Sequence, residues 1–191
     1  MQRIGLFGGS FDPVHLGHLL VAETAVEELG LGRLFFIPAA QSPFKPDSKP
    51  SPPADRLKWL RLALAGCPWA EIDDQEVRRG GVSYTVDTLR DYAGRFRRAE
   101  LYYLIGADHT PLLPQWKNAE ELARLARFAV IPRPGQKQSP LPEPFQGQWL
   151  QGFPLGLSSS QIRARVKAGL AIDHLVPPAV AEAVAKSGLY L

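Results

Sequence analysis

Residues 4–18 read Ile-Gly-Leu-Phe-Gly-Gly-Ser-Phe-Asp-Pro-Val-His-Leu-Gly-His and decide the fold. The apolar run within residues 2–7 predicts a buried strand that ends at Gly8 and Gly9, and a helical pattern begins near His15. Because the two glycines lack side chains, their backbone N–H groups can face an anion at close range. His15 and His18 then lie three residues apart at the positive end of the helix. These features predict a phosphate site between a strand and a helix.

The residues that follow complete a strand-helix-strand unit. Residues 16–29 carry apolar side chains at helical spacing, and Gly30 and Gly32 end the helix. A second apolar run at 34–37 ends at Pro38. The right-handed crossover of such a unit implies a parallel sheet, whose ligands bind beyond the carboxyl ends of the strands. The glycine stretch lies at that edge.

The same alternation continues along the chain and predicts an α/β fold. Further strands are expected at 69–72, 101–105 and 128–131, and further helices after Ser51, at 85–96, at 118–127 and at 177–187. The Gln- and Pro-rich residues 136–148 are predicted to be disordered or variable in length. Asp73, Asp74 and Glu76 follow a strand without recognisable metal-ligand spacing, so a solvated strand end is preferred to a metal site.

Composition bounds the class of protein. The 191 residues are 45% hydrophobic, enough to fill one core, and predict a single domain over 1–191 with a helical part at about 158–191 packed on it. One cysteine, no apolar run of about 20 residues and no leader pattern favour a cytoplasmic protein that neither binds nor spans a membrane. The net charge of +3 comes from scattered basic residues, which suit phosphorylated small molecules and do not require nucleic acid.

A second anion site is predicted where residues 157–163 read Leu-Ser-Ser-Ser-Gln-Ile-Arg. Serine hydroxyls and free N–H groups at a helix start can bind phosphate, and Arg163 can point to the same anion from the first turn. A serine helix cap with a surface arginine is the alternative. The segment gains weight because it is paired with the first glycine stretch.

Together, these segments resemble the nucleotidyltransferase superfamily with a His-x-Gly-His motif, specifically bacterial nicotinate mononucleotide adenylyltransferases. The resemblance extends to the segments Ser-Pro-Phe-Lys at 42–45, Ser-Tyr-Thr at 83–85, Ile-Gly-Ala-Asp at 105–108 and Arg-Pro-Gly at 133–135. It implies a Rossmann-like, doubly wound parallel sheet flanked by helices, of the nucleotidyltransferase type. Phe44 departs from the family, which commonly has histidine there.

The resemblance also implies roles for individual residues. It makes His15, His18 and Arg163 catalytic. The residues implied to bind ATP are these three together with Gly8, Gly9, Ser10, Phe11, Gly106, Asp108, Arg133, Ser158, Ser159, Ser160 and Ile162. The residues implied to bind the second substrate are Lys45, Tyr84, Thr85, Asp108 and Trp116. The residues alone leave an alternative role open for three of these. The alternatives are an exposed loop lysine for Lys45, a helix N-cap for Asp108 and a core side chain for Trp116.

The expected reaction is adenylyl transfer from ATP to nicotinate mononucleotide, giving nicotinate adenine dinucleotide and pyrophosphate. Two phosphate cradles with histidines and an arginine, and no plausible nucleophile, indicate catalysis by positioning and charge stabilisation. Mg²⁺ is expected to arrive with ATP, without a protein metal site. Nicotinamide mononucleotide or phosphopantetheine as acceptor, or a non-catalytic nucleotide-binding module, remain alternatives, and a homo-oligomer is possible.

Overall fold

The computed structural model describes residues 1–44 and 49–191. Its centre is a six-stranded sheet in the order β3-β2-β1-β4-β5-β6, in which every neighbouring pair is parallel. The strands are β1 (Gln2–Gly9), β2 (Arg33–Pro38), β3 (Ala70–Ile72), β4 (Ala99–Gly106), β5 (Arg127–Ile131) and β6 (Gly147–Trp149). This order reverses direction between β1 and β4, so a crevice opens at their carboxyl ends.

Helices cover both faces of the sheet. They are α1 (Leu16–Leu29), α2 (Pro53–Ala63), α3 (Gln75–Arg79), α4 (Thr85–Arg95), α5 (Ala119–Leu125), α6 (Ser159–Lys167) and α7 (Pro178–Ser187), and a 3-10 helix spans Ala107–Gln115. The predicted Rossmann-like, doubly wound fold is confirmed. None of the described helices has the length and apolar character that crossing a membrane requires.

Two hydrophobic clusters, one on each face, hold these layers together. Because side chains alternate along a strand, Leu101 and Tyr103 of β4 enter one cluster and Tyr102 and Leu104 enter the other. The first cluster lies beneath α4 and α5. The second includes side chains from α1, α2, α6 and α7, so Ile162 and the apolar face of α7 complete the core.

Residues 136–148 were predicted to be disordered or variable in length, and the prediction of disorder is wrong at the end of this range. Phe145 is buried and packs edge-on against Phe128 at 5.1 Å between ring centroids. Directly after it, β6 begins at Gly147, where a Cβ would lie 1.8 Å from the Phe128 carbonyl oxygen. A strand of three residues among Gln and Pro is too short to give a periodic pattern, so the sequence did not reveal it.

The solvated strand end predicted after β3 is also wrong. Asp73 and Glu76 are buried, and α3 begins between them. The Asp73 carboxylate accepts hydrogen bonds from the Tyr92 hydroxyl and the Arg95 guanidinium, both at 2.7 Å. Although burial acts to raise its pKa, these partners lower the pKa of Asp73 below its usual value. Hydrogen bonds to the acidic cluster therefore hold α3 and α4 against the end of the sheet.

Candidate active site

A cavity of about 370 Å³ opens at the carboxyl ends of β1 and β4, where the sheet reverses. Most of the predicted site residues line it: Gly8, Gly9, Ser10, Phe11, His15, His18, Thr85, Gly106, Trp116, Arg133, Ser158, Ser159, Ser160 and Arg163. Residues up to 155 positions apart in the sequence thus line the same cavity. Lys45 lies outside the described residues, so its predicted role in binding the second substrate stays a prediction.

Close packing explains the glycines at the ends of the strands. A Cβ on Gly8 would lie 2.4 Å from the Tyr103 hydroxyl oxygen, and one on Gly106 would lie 2.5 Å from an Asp108 carboxylate oxygen. Neither distance is tolerable for a carbon atom, so larger residues would displace these neighbours. The glycines therefore leave room for these neighbours at the floor of the cavity.

His15 and His18 form a stacked pair at the start of α1. His15 is the N-cap residue, and its backbone N–H donates to Nδ1 of His18 at 3.2 Å. The two imidazole rings are 3.6 Å apart between centroids and 25° from parallel. Because Nδ1 of His18 accepts a hydrogen bond, neutral His18 carries its proton on Nε2. That assignment leaves His18 one N–H donor for a ligand.

The protonation state of this pair follows from its surroundings. Burial, with a smaller contribution from the positive charge of Arg133, lowers the pKa of His15 from 6.5 to about 4. Burial, then His15 and Arg133, lowers the pKa of His18 well below its usual value. Both imidazoles are therefore neutral at pH 7 in the free protein. They act as hydrogen-bond donors whose charge state can change when an anion arrives.

The second predicted cradle lies at the N-terminus of α6. Ser158 is its N-cap: its hydroxyl accepts from the Gln161 N–H at 3.3 Å, and the Gln161 side chain accepts from the Ser158 N–H at 2.8 Å. This reciprocal capping box fixes the helix start. The serines that follow line the cavity. The helix N-terminus thus faces the same space as the glycines of β1.

The two cradles touch each other directly. The Ser159 hydroxyl donates to the Pro13 carbonyl at 2.9 Å, and Nη1 of Arg163 donates to the Asp12 carbonyl at 2.7 Å. Arg163 also reaches the Ser160 hydroxyl through Nη2 at 3.1 Å. A guanidinium has five N–H donors, so Arg163 retains donors for an anion in the cavity.

Some predicted ligands lie elsewhere. The Ile162 side chain is fully buried in the core, because it faces the sheet rather than the cavity, so its predicted contact with ATP cannot come from the side chain. Tyr84 is the N-cap of α4 and packs under the Lys117 ammonium, 4.0 Å from the ring centroid. Asp108 stands in the first turn of the 3-10 helix, whose N-cap is Gly106, and lies 3.6 Å from Nε of Arg133.

The other end of the cavity is aromatic. Trp116 ends the 3-10 helix, and its ring lies 5.6 Å from the Phe44 ring and 5.9 Å from the His109 ring between centroids. Thr85, the first residue of α4, donates from its hydroxyl to the Tyr103 hydroxyl at 3.4 Å. A flat aromatic surface beside a helix N-terminus can receive a planar ring that carries an anionic substituent.

Sequence reasoning missed Glu76, Tyr103 and His109, which all line this end of the cavity. Glu76 is buried, accepts from the Thr88 hydroxyl at 2.5 Å, and has a pKa raised by its burial. Tyr103 looks like an ordinary core residue of β4, and Glu76 looks like one acid among several. Of the three, only His109 could have been found from the sequence, because it directly follows the Ile-Gly-Ala-Asp segment of the predicted site.

Taken together, the glycine loop and the serine helix start, both predicted to bind phosphate, line one cavity at the reversal point of a parallel sheet. A neutral histidine pair and two arginines, Arg133 and Arg163, surround it. An aromatic second compartment adjoins it. This fold and this site define the class of nucleotidyltransferases, enzymes that transfer the nucleoside monophosphate part of a nucleoside triphosphate to an acceptor.

Comparison with known proteins agrees with this class. Residues 6–165 match the cytidylyltransferase-like family, and the chain belongs to it. A relative from Opitutus terrae, named probable nicotinate-nucleotide adenylyltransferase, is 42% identical and covers 92% of this chain and 91% of its own. One of the same name from Dehalococcoides mccartyi is 39% identical over 98% of this chain and 97% of its own.

Solved structures show the same fold at lower identity. The Plasmodium falciparum nicotinic acid mononucleotide adenylyltransferase complexed with NaAD aligns with a TM-score of 0.83 at 18% identity, covering 100% of this chain and 98% of that one. A putative nicotinate-nucleotide adenylyltransferase from Vibrio parahaemolyticus aligns with a TM-score of 0.73 at 19% identity, covering 100% and 96%. At these identities the likeness establishes the fold.

Proposed function

We propose that this chain is an enzyme that transfers the adenylyl group of ATP to nicotinate mononucleotide, forming nicotinate adenine dinucleotide and pyrophosphate in NAD biosynthesis. The names of full-length relatives at about 40% identity support the reaction. The observation that carries it is that the stacked His15–His18 pair and Arg163 line one cavity. We also infer that residues 1–191 act as one domain, since α6 supplies both core and site residues.

In this reaction a phosphate oxygen of the mononucleotide attacks the α-phosphorus of ATP. The bond between that phosphorus and the oxygen bridging to the β-phosphate breaks, and pyrophosphate leaves with the electron pair. No covalent enzyme intermediate forms, so the protein contributes alignment and charge stabilisation. The N–H of His18 and the remaining donors of Arg163 bind the α-phosphoryl oxygens and the leaving group, where negative charge increases in the transition state.

The other donor-side residues hold ATP in place. Backbone N–H groups at Gly8, Gly9 and Ser10 bind its phosphates from β1, and the N-terminus of α6 binds them from the opposite side. The Phe11 ring packs edge-on against His18 at 5.0 Å and so supports the imidazole. In this proposal Gly106 lets the nucleotide pass close to β4, Asp108 beside Arg133 accepts from a ribose hydroxyl, and Arg133 adds positive charge.

Mg²⁺ enters as the companion of ATP. Within residues 1–44 and 49–191, no three or more His, Cys, Asp or Glu side chains stand together as metal ligands. The donors that line the ATP half are backbone N–H groups, hydroxyls, imidazoles and guanidiniums, which bind phosphate. The phosphates and water therefore supply the metal's oxygen ligands in this proposal.

The acceptor occupies the aromatic compartment. Its pyridine ring packs on Trp116, and its carboxylate faces Thr85 at the N-terminus of α4, where the helix dipole and free N–H groups favour an anion. A neutral carboxamide gains less from that position, which favours nicotinate over nicotinamide mononucleotide. Tyr84 contributes its backbone there, while its ring stays with Lys117. We propose small nucleotides as partners, and the predictions of a cytoplasmic protein without nucleic acid or membrane partners stay predictions.

Measuring pyrophosphate release tests the function. The purified chain with Mg²⁺ and ATP is given nicotinate mononucleotide, nicotinamide mononucleotide or phosphopantetheine in separate reactions, and nicotinate mononucleotide is expected to give the highest kcat/KM. Release with phosphopantetheine alone would assign another adenylyltransferase activity. Release with none of the three would favour a non-catalytic nucleotide-binding module.

Two alanine variants, each at one histidine, test the catalytic assignment. His18→Ala removes one donor to the transition state, so turnover should fall by roughly 10²–10³ with the fold intact. His174→Ala, at an exposed histidine, is the matched control and should retain wild-type turnover. Near-normal turnover of His18→Ala in a folded protein would contradict the proposed role.

A further inference from the structure

The turn formed by residues 10–13, which joins β1 to the histidine pair, has a strained backbone. Phe11 adopts φ 47°, a left-handed conformation that a bulky L-residue rarely takes. Its side chain is nonetheless almost completely buried. Such a conformation persists only where surrounding contacts fix it. The contacts that fix this turn therefore also fix the position of His15 and His18.

The backbone carbonyls of this turn accept hydrogen bonds from side chains that are distant in sequence. Nη1 of Arg56, on α2, donates to the Ser10 carbonyl at 2.9 Å. Arg163 and Ser159, on α6, donate to the carbonyls of Asp12 and Pro13, the last two of the turn. Three of the four carbonyl groups are thus held by side chains from other elements, and Arg56 is the one that does not line the cavity.

Arg56 also connects the turn to two other segments of the chain. Its guanidinium is completely buried, donates to the Ala39 carbonyl after β2 at 2.8 Å, and donates through Nε to the Ser51 carbonyl at 2.9 Å. Among the described residues, its Nη2 atom has no hydrogen-bond partner. One planar cation thereby joins the ATP loop, the segment after β2 and the start of α2.

The carboxylate of Asp12 forms the other half of this network. One oxygen accepts from the Ser51 N–H at 3.1 Å, and the other accepts from the Tyr190 hydroxyl at 2.5 Å. The Ser51 hydroxyl donates to the Tyr190 oxygen at 3.2 Å. Tyr190 itself has φ 72°, so a second strained residue lies on the same carboxylate, 178 positions along the chain.

We propose that Arg56 and Tyr190 are positioning residues for adenylyl transfer: they hold the strained 10–13 turn in the shape that points the His15–His18 pair at the ATP phosphates. The inference rests on the proposed function for the identity of the nucleotide. The turn is pre-organised before ATP binds, so binding does not have to order it. Loss of either residue relaxes the turn and weakens ATP binding without removing any group that contacts ATP.

Tyr190→Phe isolates this effect, because it removes one hydroxyl and leaves the ring next to Trp59, 6.0 Å away between centroids. Its matched control is Tyr102→Phe, which removes a similar hydrogen bond of 3.0 Å from a tyrosine hydroxyl to the Glu100 carboxylate, on the amino-terminal half of β4. Binding of a non-hydrolysable ATP analogue is measured by calorimetry, and both KM values are measured by pyrophosphate release.

We expect Tyr190→Phe to weaken binding of the analogue about tenfold, with a similar rise in KM for ATP and almost no change in KM for the mononucleotide. The Cε1–H resonances of His15 and His18 should shift in the NMR spectrum. Tyr102→Phe should change none of these. In Arg56→Lys a single ammonium replaces a guanidinium that donates to three carbonyls. Both KM values should therefore rise in the folded variant.

Wild-type affinity and unshifted histidine resonances in Tyr190→Phe would overturn the proposal, as would equal losses in Tyr102→Phe. Because the calorimetry needs no acceptor, it reports on positioning even when pyrophosphate release fails. Failure of the wild-type chain to release pyrophosphate with every acceptor would instead count against the proposed function.

Discussion

Replacing His15 with asparagine should make the protein less sensitive to acid. The His15 side chain is buried, and its pKa is about 4 in the folded chain against 6.5 for an exposed imidazole. At pH 5 the His15 imidazole is therefore protonated in the unfolded chain but not in the folded chain. The free energy of unfolding falls as the pH drops from about 6.5 to about 4. A gap of about 2.5 in pKa corresponds to about 3 kcal/mol of lost stability.

Urea unfolding at pH values from 7.5 to 4, each with the linear extrapolation, measures this loss. The wild type and His15→Asn are compared at every pH, so that carboxylates titrating in both proteins cancel. The difference between their unfolding free energies should shift by about 3 kcal/mol in favour of the variant between pH 7 and pH 4. Parallel curves for the two proteins would refute the buried, neutral state of His15 and with it the donor role assigned to the pair.

Three further substitutions test other parts of the site and fold. Gly17→Ala places a Cβ 3.0 Å from Nδ1 of His15, so turnover should fall roughly tenfold while urea stability stays equal or rises, because alanine favours the helix; unchanged turnover would contradict the tight packing. Trp116→Ala should raise KM for the mononucleotide roughly tenfold and leave KM for ATP unchanged in steady-state kinetics, and an equal rise in both would remove Trp116 from the acceptor site. Gly147→Ala forces a Cβ to within 1.8 Å of the Phe128 carbonyl oxygen, so urea unfolding should show a loss of about 3 kcal/mol or more, whereas Gly94→Ala, with open space around it, should not be destabilised.

The two phosphate cradles could be predicted from sequence because each is a local pattern. A strand that ends at Gly8 and Gly9, and a helix that starts after Ser158, can be recognised from neighbouring residues alone. Their meeting in one cavity was expected from the resemblance and from the rule that parallel strands bind ligands at their carboxyl ends. The contacts between them, such as Arg163 on the Asp12 carbonyl, had no signal in the sequence.

The residues that sequence reasoning missed or misplaced depend on burial. Glu76 and Asp73 were taken for solvated acids, since spacing does not show that α4 packs over them with Thr88, Tyr92 and Arg95. Ile162 belongs to a recognisable motif, yet the orientation of α6 turns its side chain into the core. Which way a side chain faces is decided by how its helix packs, and a family motif does not encode that for every member.

By itself, the sequence determined the alternation of strands and helices, the parallel sheet and the phosphate-binding ends of two elements, because each follows from periodicity and from residues that permit unusual backbone shapes. Only the tertiary structure decided the charge of the His15–His18 pair, since an imidazole's pKa depends on its burial and on Arg133, which is far away in sequence. It also decided how the strained turn at Phe11 is held. The hydrogen bonds that stabilise it come from residues 56, 159, 163 and 190, which only folding brings to the end of β1.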